Sequence, residues 1–335
     1  MYEFATGVIN VWEKRLLSRL DQERMVKSPD RASAFMVLFD TDLSELISPN
    51  AKKDIEEVFS QDLNGLKKKL SGILDDNGFL ITFLFLKFDA FNLKSALKAQ
   101  FFQTEEKKFK PFDFSVEPYA NIESALPFSL SKKFQNGFLN NGKCANAWVL
   151  KMMEQTTELL SGLRSKEINS RLIEQIVDRV YFNVKSEMAN KAVYLKEFVK
   201  LEIDVANLRS FLAKESHSYF LEEGNLDKKE TEKMLKLKEG ETEQGIKKFL
   251  ETLQLSFLLE SLKGDDSPML LEKKLEGFIS ERIIAKEKEK GSGIEKVLAF
   301  FQKRMNSYSN IRLILFAKEN GLELDEIEKA LLPIV

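Results

Sequence analysis

The chain has 335 residues, 43% of them hydrophobic, and a formal net charge of −2 from 51 basic and 53 acidic side chains. That balance argues against a nucleic-acid binder, which carries a basic excess on one face, and the apolar content is enough for two or three ordinary cores. With only 7 Pro, 15 Gly and 31% charged residues, the composition favours an all-α protein.

In chain order, a first long helix is expected through Val11–Leu17, with a break marked by Ser18 and by Asp21, which can cap the next helix. Ser28-Pro29-Asp30 and Ser48-Pro49-Asn50 read as helix starts, since proline is welcome in a first turn. Helices follow over about 51–74 and 78–99. The apolar run Phe79–Phe88 resembles a buried strand, but Ala90, Leu93 and Leu97 continue it with helical spacing. Residues 101–128, with Pro111, Pro118 and Pro127, form the least regular stretch and a boundary. Further helices are expected near 145–164, 168–184 and 191–216. The charge-dense stretch Glu222–Glu251 reads as solvated helix faces. A turn at Gly264–Pro268 and a charged link at Glu287–Gly293 precede a final helix pair. The run Phe79–Leu86 is far short of the roughly 20 residues of a membrane-spanning helix. Met1-Tyr2-Glu3-Phe4 does not open a signal-peptide pattern. The single cysteine, Cys144, excludes an intramolecular disulfide and suits a reducing compartment.

One polar triplet recurs inside apolar helical stripes, as Asn92-Leu93-Lys94, Asn207-Leu208-Arg209 and Asn310-Ile311-Arg312, at intervals of 115 and 103 residues. Asp89, Asp204 and Ser307 stand three residues before each Asn, and Leu97, Leu212 and Leu315 five residues after. The repeat divides the chain into three helical domains, 1–110, 111–222 and 223–335. Gly224 and Gly321 each follow a copy and read as left-handed helix stops. Asn is a poor residue for a helix interior, because its amide competes for backbone hydrogen bonds. Its recurrence therefore implies a fixed partner, a helix end or loop backbone tied by Asp and Asn sharing one face. The other reading is a ligand ring, but one motif per domain is more simply a shared folding device.

Chemistry-bearing constellations are sparse. His217 is the only histidine and Cys144 has no histidine near in sequence, so neither supports a catalytic or metal-binding arrangement. No Gly-x-x-x-x-Gly-Lys-Ser/Thr loop occurs, and Gly291-Ser292-Gly293 is too short for a phosphate cradle, so no direct nucleotide binding is expected. Asp75-Asp76 and Asp265-Asp266 have the oxygen ligands Mg²⁺ takes, but both sit beside glycine where Asp serves turns and caps. No catalytic, cofactor-binding or metal residue is assigned.

Glu13-Lys14-Arg15-Leu16-Leu17-Ser18, Leu38-Phe39-Asp40-Thr41-Asp42, Asp178-Arg179-Val180-Tyr181-Phe182 and Glu202 to Arg209 follow one another in order, ending in Asn310-Ile311-Arg312 with Gly321 and Ile327 beyond. In this the chain resembles the C subunit of archaeal-type and bacterial V-type ATPases, the family that includes the d subunit of vacuolar ATPases. Leu43 stands where that family's pattern has Tyr. The resemblance implies an all-helical funnel of three similar domains. It implies a rotor subunit without catalytic activity or cofactor, at the cytoplasmic face of the membrane. There it would couple the central-stalk subunits of D and F type to the membrane proteolipid ring, linking ATP hydrolysis or synthesis to proton or sodium transport. Two other readings remain: a free-standing helical scaffold binding proteins in a concave groove, and a helical enzyme with Mg²⁺ at one Asp pair.

Overall fold

A computed structural model describes residues 2–47, 54–102, 111–126, 144–164, 167–212, 220–227 and 268–334, with residues 229, 244, 247, 248 and 251 between them. These residues form helices and connecting turns, with no strand among them. The helices of described bounds are α1 (Glu3–Glu13), α2 (Arg19–Lys27), α3 (Arg31–Met36), α4 (Ile55–Ile73), α5 (Phe79–Phe102), α6 (Tyr119–Ala125), α7 (Ala147–Ser161), α8 (Ser170–Ala189), α9 (Val193–Leu212), α10 (Pro268–Lys290), α11 (Ile294–Asn320) and α12 (Leu324–Lys329). The all-α fold expected from composition is present. No helix among the described residues is long and apolar enough to cross a membrane.

The chain divides into two compact units, one of Met1–Asp62 with Lys200–Val335 and one of Leu63–Val199. Both divisions fall within a helix, α4 and α9. In the unit of residues 63–199, α5 is the central element, and α8, α7 and α6 pack on it. Every residue from Phe79 to Leu86 is buried, so the run is apolar because its helix is covered on all sides. Asp76 caps its start, its Oδ2 accepting from Leu80 N at 3.0 Å, which gives this Asp a structural task. In the other unit α11 is central, packed by α10, α3, α1, α2 and α12.

Several boundaries differ from the sequence expectation. α1 ends at Glu13, where Arg15 N donates to Trp12 O and turns the chain, and Leu16 and Leu17 are buried from the link instead. Ser18 is the cap of α2 and Asp21 closes the box, its carboxylate accepting from Ser18 N while Ser18 Oγ accepts from Asp21 N. The irregular stretch 101–128 contains the short α6 after Pro118. Glu287 to Lys290 belong to α10, because Glu287 is buried among cations; only residues 291–293 form the link, with Gly291 and Gly293 at φ 69° and 88°. Ser48-Pro49-Asn50, Pro127, His217, Asp265-Asp266 and most of 228–251 lie outside the described residues.

Candidate functional site

The three repeated asparagines make the same pair of bonds. Asn92 on α5 donates from Nδ2 to Phe112 O (2.9 Å) and accepts at Oδ1 from Phe112 N (2.8 Å). Asn207 on α9 donates to Leu221 O (2.9 Å) and accepts from Leu221 N (2.8 Å). Asn310 on α11 donates to Leu332 O and accepts from Leu332 N, both at 2.8 Å. A primary amide has one donor edge and one acceptor edge side by side, and both are used on a single peptide residue. The partners lie 20, 14 and 22 residues downstream, so each Asn clamps a returning segment onto its own helix.

The preceding Asp completes the clamp in the first two copies. Asp89 accepts from Val116 N and Glu117 N, both at 2.9 Å. Asp204 accepts from Asn225 N (2.8 Å), Asn225 Nδ2 (2.7 Å) and Leu226 N (3.2 Å). Both carboxylates therefore grip the residues four and five past the one held by Asn. Both are fully buried. Burial pushes Asp89 up to about 7, against the opposing pull of its two N–H donors and of Lys67. Burial also raises Asp204, against the donors on Asn225 and Leu226.

The third copy departs. Ser307 Oγ bonds back to Lys303 O on its own helix (2.9 Å). Its neighbour Asn306 reaches the segment instead, donating to Pro333 O (2.6 Å). Pro333 stands one residue past the one that Asn310 holds, so this contact is not the counterpart of the Asp grip, which falls four and five residues past.

The basic residue two places after each Asn also repeats its role. Lys94 pairs with Asp178 on α8, Arg209 with Glu272 and Glu276 on α10 (3.7 and 3.6 Å), and Arg312 with Glu56 on α4 through two bonds. In each case the acid belongs to a different third of the chain from its base. Gly224 is needed for a reason other than its expected left-handed backbone: that conformation belongs to Glu223 (φ 71°), and a Cβ on Gly224 would stand 2.3 Å from Asp204 Oδ1. Gly321 does adopt it, at φ 68° and ψ 34°.

The first clamp extends further. Ser115 Oγ donates to Glu117 O at 2.6 Å and accepts from Asn92 Nδ2 at 3.0 Å. The buried Glu117 carboxylate accepts from Ala145 N (2.8 Å) and Asn146 N, and Asn146 caps α7. A chain of bonds thus joins α5, the returning segment and α7. Cys144 is buried beside it, and burial pushes its thiol up to about 12, which leaves it protonated and inert.

Sequence reasoning missed two buried charge networks on α11. Lys296 and Lys303 each bond to both Glu13 and Glu287, with Lys296–Glu287 at 2.8 Å and Lys303–Glu13 at 2.9 Å. Arg304, 4% exposed, reaches Asp62 and Asp42 at 2.7 Å, and Tyr308 donates to the same Asp62. Their one sequence signal is the spacing of Lys296, Lys303 and Arg304, which sets charges on the core face of a helix.

A family model described as the ATP synthase (C/AC39) subunit matches residues 5–330. The chain belongs to that family. Comparison with curated proteins gives no match. Within this C/AC39 chain the segments that carry the resemblance take part in packing. Glu13 opens one and joins the tetrad, while Leu16, Leu17 and the cap Ser18 complete it. Asp42 ends another and holds Arg304; Asp178 starts a third and holds Lys94; 202–209 carries the second clamp.

Proposed function

We propose that the chain is the non-catalytic rotor subunit of a V/A-type rotary ATPase, joining the central-stalk subunits of D and F type to the membrane proteolipid ring. On this reading it passes rotation between ATP hydrolysis or synthesis and proton or sodium transport, at the cytoplasmic face of the membrane and without cofactor. The family match over residues 5–330 carries the reading. The clamps support it, because an adaptor under torque needs helices whose connections cannot slide, and dense interiors with pinned backbone supply that stiffness. We propose as well that the repeat marks three domains, 1–110, 111–222 and 223–335, arranged as a funnel, with Asp89, Asn92, Asp204, Asn207, Ser307 and Asn310 as folding devices rather than ligand contacts.

The test is affinity purification of the tagged chain from gently solubilised native membranes. Recovery together with stalk subunits and the proteolipid ring is expected. An intact rotary ATPase that purifies without the chain would overturn the proposal.

A further inference from the structure

The end of α11 and the start of α12 carry three exposed large apolar side chains that the clamps do not use. Gly321 N and Leu322 N both donate to Ala317 O, the second at 3.0 Å, so the chain reverses directly off the last turn of α11. An ending of this kind brings the residue after the glycine back over that turn, where Phe316 stands. Phe316 is 59% exposed, Leu322 37% and Leu324 45%. Around them Glu323, Asp325, Glu326 and Glu328 are all exposed, against two bases in the stretch 316–329, the half-buried Lys318 and the exposed Lys329. Glu319 is engaged by Arg31 at 3.5 Å.

This surface is held rigidly. Ile327, Ala330 and Leu332 are buried beneath it. The Asn310 clamp grips Leu332 and Asn306 grips Pro333, so the segment is fixed at the glycine turn on one side and by two side chains on the other. Because the backbone beneath the three apolar side chains is already pinned, a partner that covers them need order only the side chains.

We infer that Phe316, Leu322 and Leu324, with their acidic rim, form a docking surface for a central-stalk segment that presents apolar side chains flanked by lysine or arginine. The charge selects a basic occupant. A second copy of the chain would bring acid against acid, and an anionic membrane surface would repel the same rim. A basic partner satisfies the rim and dehydrates the apolar centre, where affinity concentrates. The inference rests on the rotor reading above.

The test titrates the full chain with purified central-stalk subunits by calorimetry at two salt concentrations. Three chains are compared: wild type, Phe316→Ser/Leu322→Ser/Leu324→Ser, and Glu323→Lys/Asp325→Lys/Glu326→Lys, with circular dichroism confirming their folds. The apolar variant is expected to bind on the order of 10-fold more weakly or worse. The charge variant is expected to weaken at low salt, with binding that no longer falls as salt rises. Wild-type binding that both variants match would overturn the docking surface and leave the rotor reading standing. A wild-type chain that neither binds stalk subunits nor co-purifies with the ATPase would overturn both. Binding of wild type, but not the apolar variant, to phosphatidylserine vesicles, or loss of a homodimer in that variant, would assign the surface to another occupant.

Discussion

At the residue scale, the clamp asparagines were legible because a mid-helix Asn in an apolar stripe is an anomaly that needs a partner. The partners were not legible: Phe112, Leu221 and Leu332 are held by their backbone groups, so no side-chain type marks them. Replacing Asn207 by Leu orphans a buried N–H and C=O on Leu221, and a loss on the order of 1–3 kcal/mol is expected in urea titration. Gly224→Ala is expected to cost about 1–3 kcal/mol in the same measurement, because its Cβ would press on a carboxylate fixed by three bonds. Asp89 gives a pH signature. It is held up to about 7 in the folded chain, against roughly 3.9 when unfolded. Between those values the folded state keeps a proton that the unfolded state has released. Its contribution to stability is therefore full below about pH 4, is lost as pH rises through about 7, and is level above that. Thermal midpoints taken across this window should fall more steeply for wild type than for Asp89→Asn, which should also melt lower, since an amide has one acceptor for two N–H donors.

At the element scale, sequence periodicity found most helices, and the continued i, i+3, i+4 pattern separated α5 from a strand. It failed where charge was buried. Glu287 read as part of a charged link because its cationic partners stand 9 and 16 residues later on the next helix. Glu13 lies 283 and 290 residues from the same two lysines, a separation no local pattern records. The four side chains are 5–12% exposed, and the carboxylate contacts of Lys296 hold its ammonium above its ordinary range despite burial. Removing one partner of such a network leaves the others uncompensated. Lys296→Met is expected to lose on the order of 3–5 kcal/mol by denaturant titration. Adding Glu287→Gln should then cost less than the sum of the two single losses, because the second change removes a charge the first has stranded.

At the scale of the whole molecule, the order of short segments from Glu13 to Ile327 was enough to reach the family, and residues 5–330 match it. The exposed surface around Phe316 was not legible, because exposure belongs to the fold and leucine and phenylalanine in a sequence read first as core. On the proposed reading, membranes depleted of this chain should keep ATP hydrolysis by the detached soluble head while losing ATP-driven ion uptake. Parallel phosphate-release and ion-flux assays check this. Unaltered uptake would mean that rotation is transmitted without it.

The unequal spans closed by the three asparagines have a consequence for how such a chain can change. Twenty, fourteen and twenty-two residues separate each Asn from the residue it holds, and the third span is helical except at 321–323 and 330–331. The amide fixes only the two ends of a span, so an insertion inside α11 or α12 would rotate the residues beyond it by about 100° each, whereas one at 321–323 need only return residue 332 to the amide at the base. Changes of length in such a chain should therefore collect at turns, while the residues that meet each amide keep their places.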